Sequence, residues 1–500
     1  MKKLLVLSAL GAALLAHATP KKLATVQVAD TTACVSAISK LGELSGVAMV
    51  GPMLSPMIVK NPVTEFFGPM REGASALLLV YLPEKRTAAT NTLDDAQAAL
   101  VYPVTRTKKQ FLAAHPGAFE TNGLIVAKGK ESGKKYYSAF SKDGKWAASS
   151  EVAAFVRPAL GEVAAAGKPM DGNVVRVSST ALKSLIAGLN LNAKRGGGDA
   201  SSFAISTYQK ALKDIESIEF GVRIDDRGLD VRSQVVAGKG TELAKMGGGT
   251  LGKAPLAFAA ADALSVEALA PGFPSSSSLK DWEKIKRLLA KRGLKLDAIA
   301  VSEKDGIVST TVDFTCFLKD CKEFFVGRKN ELDAEGLYKD LSTNSTLMAS
   351  ETLSRAQHSQ VFLKGAKATV SPSVRYAETL PELAGRPVCY ASCSSIYELI
   401  RAVLPQVFEV FGEGDESLQM LKPMFAALPP AGKGGTASAA WREGDVLHFQ
   451  MRISKDEFKS LAAFYQVYMM QVSMRARANA ADEDDDDVDD EEDDDEDDED

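Results

Sequence analysis

The chain predicts an α+β fold: repeated strand–helix–β-hairpin–helix modules, antiparallel-rich sheets with helices on one face, and a disordered acidic C-terminal tail. Three observations predict it. The first is an internal echo. Residues 34–44 and 389–399 both read as a strand entering a helix, with Cys, Ser, Glu and Leu at matching places, and residues 175–185 give a third version. A short pattern used several times points to one supersecondary unit repeated. The second is a set of paired alternating runs around turn tetrads: Asp225-Asp226-Arg227-Gly228, Glu303-Lys304-Asp305-Gly306 and Arg442-Glu443-Gly444-Asp445. Alternation at period two flanking such turns signals hairpins. The third is residues 482–500, which are acidic except for Val488. Like charge at that density opposes collapse.

Taken in order, the N-terminus reads as an export signal. Lys2 and Lys3 precede an apolar run over residues 4–16, and Ala16-His17-Ala18 is a small-x-small cleavage site, so residues 1–18 form a signal peptide and the mature chain begins at Thr19. The run is too short to span a bilayer of about 30 Å. No Cys follows the cleavage site to take a lipid anchor, and no later segment reaches spanning length. The mature protein is expected in the periplasm or outside the cell.

The first α+β region covers residues 19–167. Residues 77–82 are an apolar run ended by Pro83 and Glu84, a buried strand; 99–104 form another strand, and 106–115 a helix stopped by Pro116-Gly117. Short strands follow at 124–127, 135–140 and 145–149. Ser150 is placed to cap a helix over 151–160.

The second module covers 168–253. Its strand at 174–177 leads to a helix carrying Leu182, Leu185, Ile186 and Leu189, a Gly196–Gly198 loop, a helix over 201–215, and a hairpin of strands 218–224 and 229–236. The third, 254–381, begins with a weaker copy of the strand start at 256–261. A helix over 279–292 then places Trp282, Ile285, Leu288 and Leu289 on one face. A hairpin of 298–301 and 307–314 follows.

The fourth module, 382–478, repeats the second. It has a strand at 388–392, a long helix interrupted by Pro405, and strands 436–441 and 446–453 in which Leu447, Phe449, Met451 and Ile453 alternate as Leu229, Val231, Ser233 and Val235 do. Ser454 and Glu457 form a capping box for a last helix running to about Met474. Residues 479–500 are the tail. The order of units resembles that of large exported bacterial proteins of unknown function built from repeated strand–helix–hairpin units. The likeness is one of pattern, covers most of the mature chain, and implies no activity.

Charge is divided along the chain. The net charge is −6, but the 18 acidic residues of 482–500 leave 47 acidic against 59 basic residues, a body of +12, or +10 without Lys2 and Lys3. A body so charged favours an anionic envelope component, or another protein, over nucleic acid, which an exported chain does not meet. The tail is expected to solubilise, to cover a basic surface of its own body, or to hold divalent cations weakly, since it lacks the Gly-spaced loop of a dedicated calcium site. Basic residues concentrate at 280–295 and 128–145.

The cysteines are Cys34, Cys316, Cys321, Cys389 and Cys393. An odd number leaves at least one unpaired within a chain, and neither close pair has C-x2-C spacing. They read as small core residues or structural bridges, with pairing open.

Two constellations resemble catalytic motifs. Gly247-Gly248-Gly249-Thr250-Leu251-Gly252-Lys253-Ala254 looks like a phosphate-binding loop. However, Ala254 replaces the magnesium-binding Ser or Thr, Pro255 obstructs the following helix, and a helix precedes. A flexible inter-domain hinge is expected instead. Ser277-Ser278-Leu279-Lys280 resembles the S-x-x-K of serine penicillin-binding proteins, Ser342-Thr343-Asn344 their S-x-N, and Lys433-Gly434-Gly435 part of K-T-G. That resemblance implies Lys280 activating Ser277, and Lys433 orienting a substrate carboxylate. Short patterns recur by chance in a chain this long, and the helix after Lys280 is charged over much of its surface, which favours a Ser-capped helix. His115, His358 and His448 are far apart in sequence, with no H-E-x-x-H or G-x-S-x-G nearby, and read as structural or solvated.

The expectation is therefore an exported non-enzymatic scaffold or binding protein of the envelope, with no catalytic, cofactor-binding or metal-ligating residue. Two alternatives stand beside it: a periplasmic carrier of an apolar ligand held between sheet and helices, and a serine acyl-transferase of penicillin-binding type.

Overall fold

The computed structural model describes residues 21–28, 31–45, 62–82, 97–129, 133–163, 173–178, 214–276, 282–291, 293, 295–326, 350–412, 419, 422–423 and 425–485. In chain order the elements of the first half are β1 (Lys21–Val28), α1 (Thr31–Ser45), α2 (Pro62–Phe67), β2 (Ala76–Leu82), β3 (Gln97–Pro103), α3 (Lys108–Ala114), β4 (Phe119–Thr121), β5 (Leu124–Lys128), β6 (Lys135–Phe140), β7 (Trp146–Ser150), α4 (Ala153–Leu160), β8 (Asn173–Ser178), β9 (Ile215–Asp225) and β10 (Gly228–Ala237). The second half has α5 (Glu242–Lys245), β11 (Ser265–Leu269), β12 (Pro274–Ser276), α6 (Trp282–Lys291), β13 (Ile299–Lys304), β14 (Ile307–Val312), α7 (Phe314–Val326), β15 (Ser350–Thr352), β16 (Gln357–Leu363), α8 (Pro372–Thr379), β17 (Tyr390–Ser394), α9 (Ile396–Phe411), β18 (Thr436–Glu443), β19 (Val446–Ser454) and α10 (Lys455–Asp485).

Seventeen of these strands form one continuous sheet. Its spatial order is β4-β5-β6-β7-β3-β2-β1-β8-β9-β10-β19-β18-β17-β11-β16-β14-β13, antiparallel throughout except where β14 meets β16. The two halves of the chain meet at the β10–β19 pairing. Outward from it lie β9, β8, β1 and β2 on one side and β18, β17, β11 and β16 on the other, so the two halves of the chain mirror each other across that seam. The two alternating rows noticed in the sequence meet there: Leu229 opposes Ile453, Val231 opposes Met451, Ser233 opposes Phe449 and Val235 opposes Leu447. Cross-strand pairs of branched and aromatic side chains stabilise such a seam. At its start Gly228 has φ +135°, and a Cβ there would lie 2.0 Å from the Ile453 carbonyl oxygen. Only glycine fits so close a backbone approach.

Among the described residues, apolar clusters fill both flanks, two in the first half and one in the second. In the first half Leu77, Leu79 and Tyr81 of β2 pack with Val101, Trp146 and Ala148 against Phe155 and Val156 of α4. The opposite face of that sheet also has a helical cover, around Phe67, Tyr102 and Phe111. In the second half Val266, Ala268, Ala391, Cys393, Ala437 and Ala439 pack with Tyr376 and Leu380. Small side chains on these strands let α8 approach closely.

The antiparallel α+β layering expected from sequence is present, with several local corrections. Cys34 lies within α1, not at a strand start; Ala33, Ala37, Leu41 and Leu44 recur at helical spacing, and the strand is the preceding β1. The echo at Cys389 is therefore out of register with that at Cys34. Residues 256–261 form turns rather than a strand. Ser150 does not cap α4: Val152 occupies the cap without a side-chain bond, and Ser150 instead bonds Ala98 O and Val152 N. Cys316 sits in α7. The last helix runs past Met474 and takes in the first acidic residues to Asp485. The signal peptide, the helices expected within 179–213, the Gly196–Gly198 loop and tail residues 486–500 lie outside the described residues.

A sealed ionic junction as the candidate functional site

The polar positions of the central strands converge on one end of the seam. In β19 the residues at even positions, Gln450 and Arg452, face the same side as Asp230 of β10. That side is covered by α8 and the 3-10 turn Pro381–Leu383, so Asp230, Gln450 and Arg452 are buried. Arg452 ion-pairs with Asp230, and its guanidinium reaches Glu382 at 2.7 and 2.9 Å and Thr379 O at 3.1 Å. Gln450 Nε2 donates to Asp230 Oδ2 at 3.1 Å and to Glu382 Oε1 at 2.7 Å. Arg232 donates to the same aspartate at 3.0 Å, and Arg227 to Glu382 at 3.1 Å. Burial works to raise the Glu382 carboxyl, yet Arg452 and Gln450 hold it below the usual carboxylate range.

Thr379 links this group to a second. Its hydroxyl donates to Arg375 O at 2.8 Å and accepts from Gly435 N at 3.1 Å. Arg375 of α8 donates to Gly434 O at 2.7 Å and lies 2.9 Å from Glu398 Oε1 of α9. Glu398 also accepts from Thr369 N at 2.9 Å and from the Thr369 hydroxyl. Ser395 caps α9 by accepting from Glu398 N at 3.1 Å, and donates to Glu457 Oε2 at 2.9 Å. Glu457 Oε1 accepts from Tyr397 N at 2.9 Å. Half of the capping box read from sequence is present, since Ser454 Oγ accepts from Glu457 N at 3.2 Å. The carboxylate does not return to its own helix start. It caps the N-terminus of α9 instead, where the helix dipole favours negative charge.

What this arrangement does chemically is join elements. Ser395 has a carboxylate partner, as an activated nucleophile would, but it is completely buried and already accepts a backbone N–H, so no substrate reaches it. Cys393 and Cys389 are buried free thiols in the core of the second half, and burial pushes them up to about 12 and about 11. Cys316 is also a free thiol, and exposed; the side chain of Cys321 lies outside the described residues.

Ser277, Lys280 and residues 342–344 lie outside the described residues, and Lys433 stands exposed in the loop before β18. The Gly247–Ala254 loop is packed rather than a flexible hinge. Leu251 N donates to Val388 O at 2.7 Å, and a Cβ on Gly249 would lie 2.3 Å from Pro271 O. His115 closes α3, buried among Phe66 and Phe111, with Nδ1 2.9 Å from Phe111 O. His448 stacks flat beneath Trp441, whose ring also carries Arg386 at 4.7 Å. His358 stacks on Phe258, and burial lowers its proton affinity.

The other face of the same central strands is apolar and less well covered. Val222, Ile224, Leu229, Val231, Phe449, Met451 and Ile453 are all half-buried, and Phe220, in the same row, is 42% exposed. Charges are thus sealed on one side of the seam while apolar side chains on the other keep contact with solvent.

Among the described residues, no helix is long and apolar enough to cross a membrane, and no group of three or more His, Cys, Asp or Glu residues could hold a metal ion. No protein family, curated protein or solved structure matches the chain.

Proposed function

We propose that the chain is an exported, non-enzymatic scaffold or binding protein of the cell envelope or periplasm, engaging an anionic component or another protein through broad faces. The observation that supports it most is the ionic junction. Asp230, Gln450 and Arg452 are buried and join the two halves of the sheet, while Arg375, Glu398 and Glu457 are buried and join α8, α9 and α10. The test is cleavable cross-linking in intact native cells followed by fractionation and N-terminal sequencing. The reading expects chain beginning at Thr19, outside the cytoplasm and linked to an envelope component. Unprocessed chain confined to the cytoplasm would contradict it.

A second reading, a carrier of an apolar ligand, draws on the half-buried apolar face around Phe220. Native mass spectrometry of chain purified from its host distinguishes the two. A carrier holds lipid in a fixed ratio and loses it on Phe220→Asp, whereas a scaffold shows no fixed ratio.

A further inference from the structure

The buried junction of α8, α9 and α10 has an uneven charge count. One guanidinium, Arg375, is enclosed with two carboxylates, Glu398 and Glu457, and all three side chains are essentially out of solvent. Cys393 of β17 also faces them, and its thiol, pushed up to about 12 by burial, stays neutral. Tyr376 of α8 is likewise pushed up by burial and stays neutral. Asp456, beside Glu457 in the chain, accepts from Gly434 N at 3.3 Å. The neighbouring Arg452 is already engaged by Asp230 and Glu382. With both glutamates ionised the enclosed group carries a net negative charge, and an uncompensated charge inside a protein is costly.

We propose that this junction takes up one proton as it closes, held on Glu457, so that the C-terminal helix α10 docks more tightly in acid than in base. The geometry selects Glu457 over Glu398. Glu398 Oε1 is committed to Thr369 and Arg375, and its Oε2 has no hydrogen-bond partner among the described residues. Glu457 Oε2 lies 2.9 Å from Ser395 Oγ, a hydroxyl that also accepts and can rotate to receive a carboxylic O–H. Burial also pushes the Glu457 carboxyl above its usual range, and the Tyr397 N–H at the positive end of the α9 dipole, the Ser395 hydroxyl and Arg375 offset that only in part.

The sign follows by linkage. The closed state holds the proton more tightly than the open or unfolded state, whose carboxyl titrates at about 4.3. The stabilisation is therefore complete below that value and is lost as pH rises through the closed-state value. The inference does not depend on the scaffold reading.

The test is hydrogen exchange on the full chain across the titration, corrected for intrinsic rates, reading the first turns of α10. In the unmodified chain the opening constant should rise by up to tenfold per pH unit through the Glu457 titration. In Glu457→Gln it should not depend on pH over that span. Equal pH dependence in the two would overturn the proposal. Where Glu457→Gln does not fold, infrared spectroscopy of the unmodified chain gives a second readout. A protonated-carboxyl stretch should persist above about pH 4.3, the ordinary glutamate value. It should weaken in Glu398→Gln, which leaves one carboxylate per guanidinium. A band unchanged by Glu398→Gln would equally overturn it.

Discussion

Arg452 and Asp230 are the pair on which the seam's interior depends, because each is buried and together they bridge β10 and β19, with Glu382 and Arg232 as further counter-charges. Removing one partner leaves the other charged and enclosed. Arg452→Ala should therefore cost about 3–5 kcal/mol in denaturant unfolding. Replacing both, as Arg452→Met with Asp230→Leu, should recover only part of that loss, because the buried pair leaves together while Glu382, Gln450 and Arg232 each lose a partner. His358 gives a prediction with a pH sign. Its ring is partly buried on Phe258, and burial lowers its folded-state value below the unfolded value of about 6.5. Stability should then fall as pH drops through the unfolded value toward the folded one, and His358→Gln should flatten that limb of a stability–pH curve. None of these residues was singled out from sequence as a site. The alternation of Leu229, Val231 and Val235 and of Leu447, Phe449, Met451 and Ile453 leaves Asp230, Gln450 and Arg452 on the opposite side of their strands. What it could not supply is that α8, distant in sequence, covers that side. Periodicity tells which face is polar, not whether water reaches it.

Turns and caps tie the elements together, and here local chemistry was more legible. The Asp225–Gly228 turn was read correctly from its tetrad. Gly228→Ala should cost roughly 1–3 kcal/mol, because φ +135° and the nearby Ile453 carbonyl both oppose a Cβ. Gly252→Ala, with open space and no left-handed backbone, serves as a near-neutral control in the same unfolding assay. At α3, Thr107 and Gln110 form a complete capping box, so Thr107→Ala should lower stability by about 1 kcal/mol. Where sequence reading failed among these elements, a competing partner had won. Ser150 turned to the Ala98 carbonyl across the sheet, and Glu457 turned from its own helix start to that of α9. Both departures need a strand or helix brought from elsewhere in the chain. At Cys34 the competition is simpler: the local pattern matches that at Cys389, but Ala33, Ala37, Leu41 and Leu44 at helical spacing set Cys34 inside α1.

Across the whole molecule, the repeated units do not stand as separate sheets. All described strands but β12 and β15 merge into one, and the mirror arrangement about β10 and β19 makes each half complete the other's edge. Leaving either central strand unpaired would expose a long row of backbone donors and acceptors. The kinship of residues 229–235 and 447–453 was visible in the sequence, but their direct pairing was not, because nothing local distinguishes a partner from a copy. Cysteine pairs introduced at Gln234 and His448, across the seam, and at Val231 and Val222, within the β9–β10 hairpin, both non-hydrogen-bonded pairs, test that pairing. Oxidation of the full chain followed by peptide mass mapping should give the cross-seam link as readily as the hairpin link. A hairpin link formed without its cross-seam counterpart would contradict the single sheet.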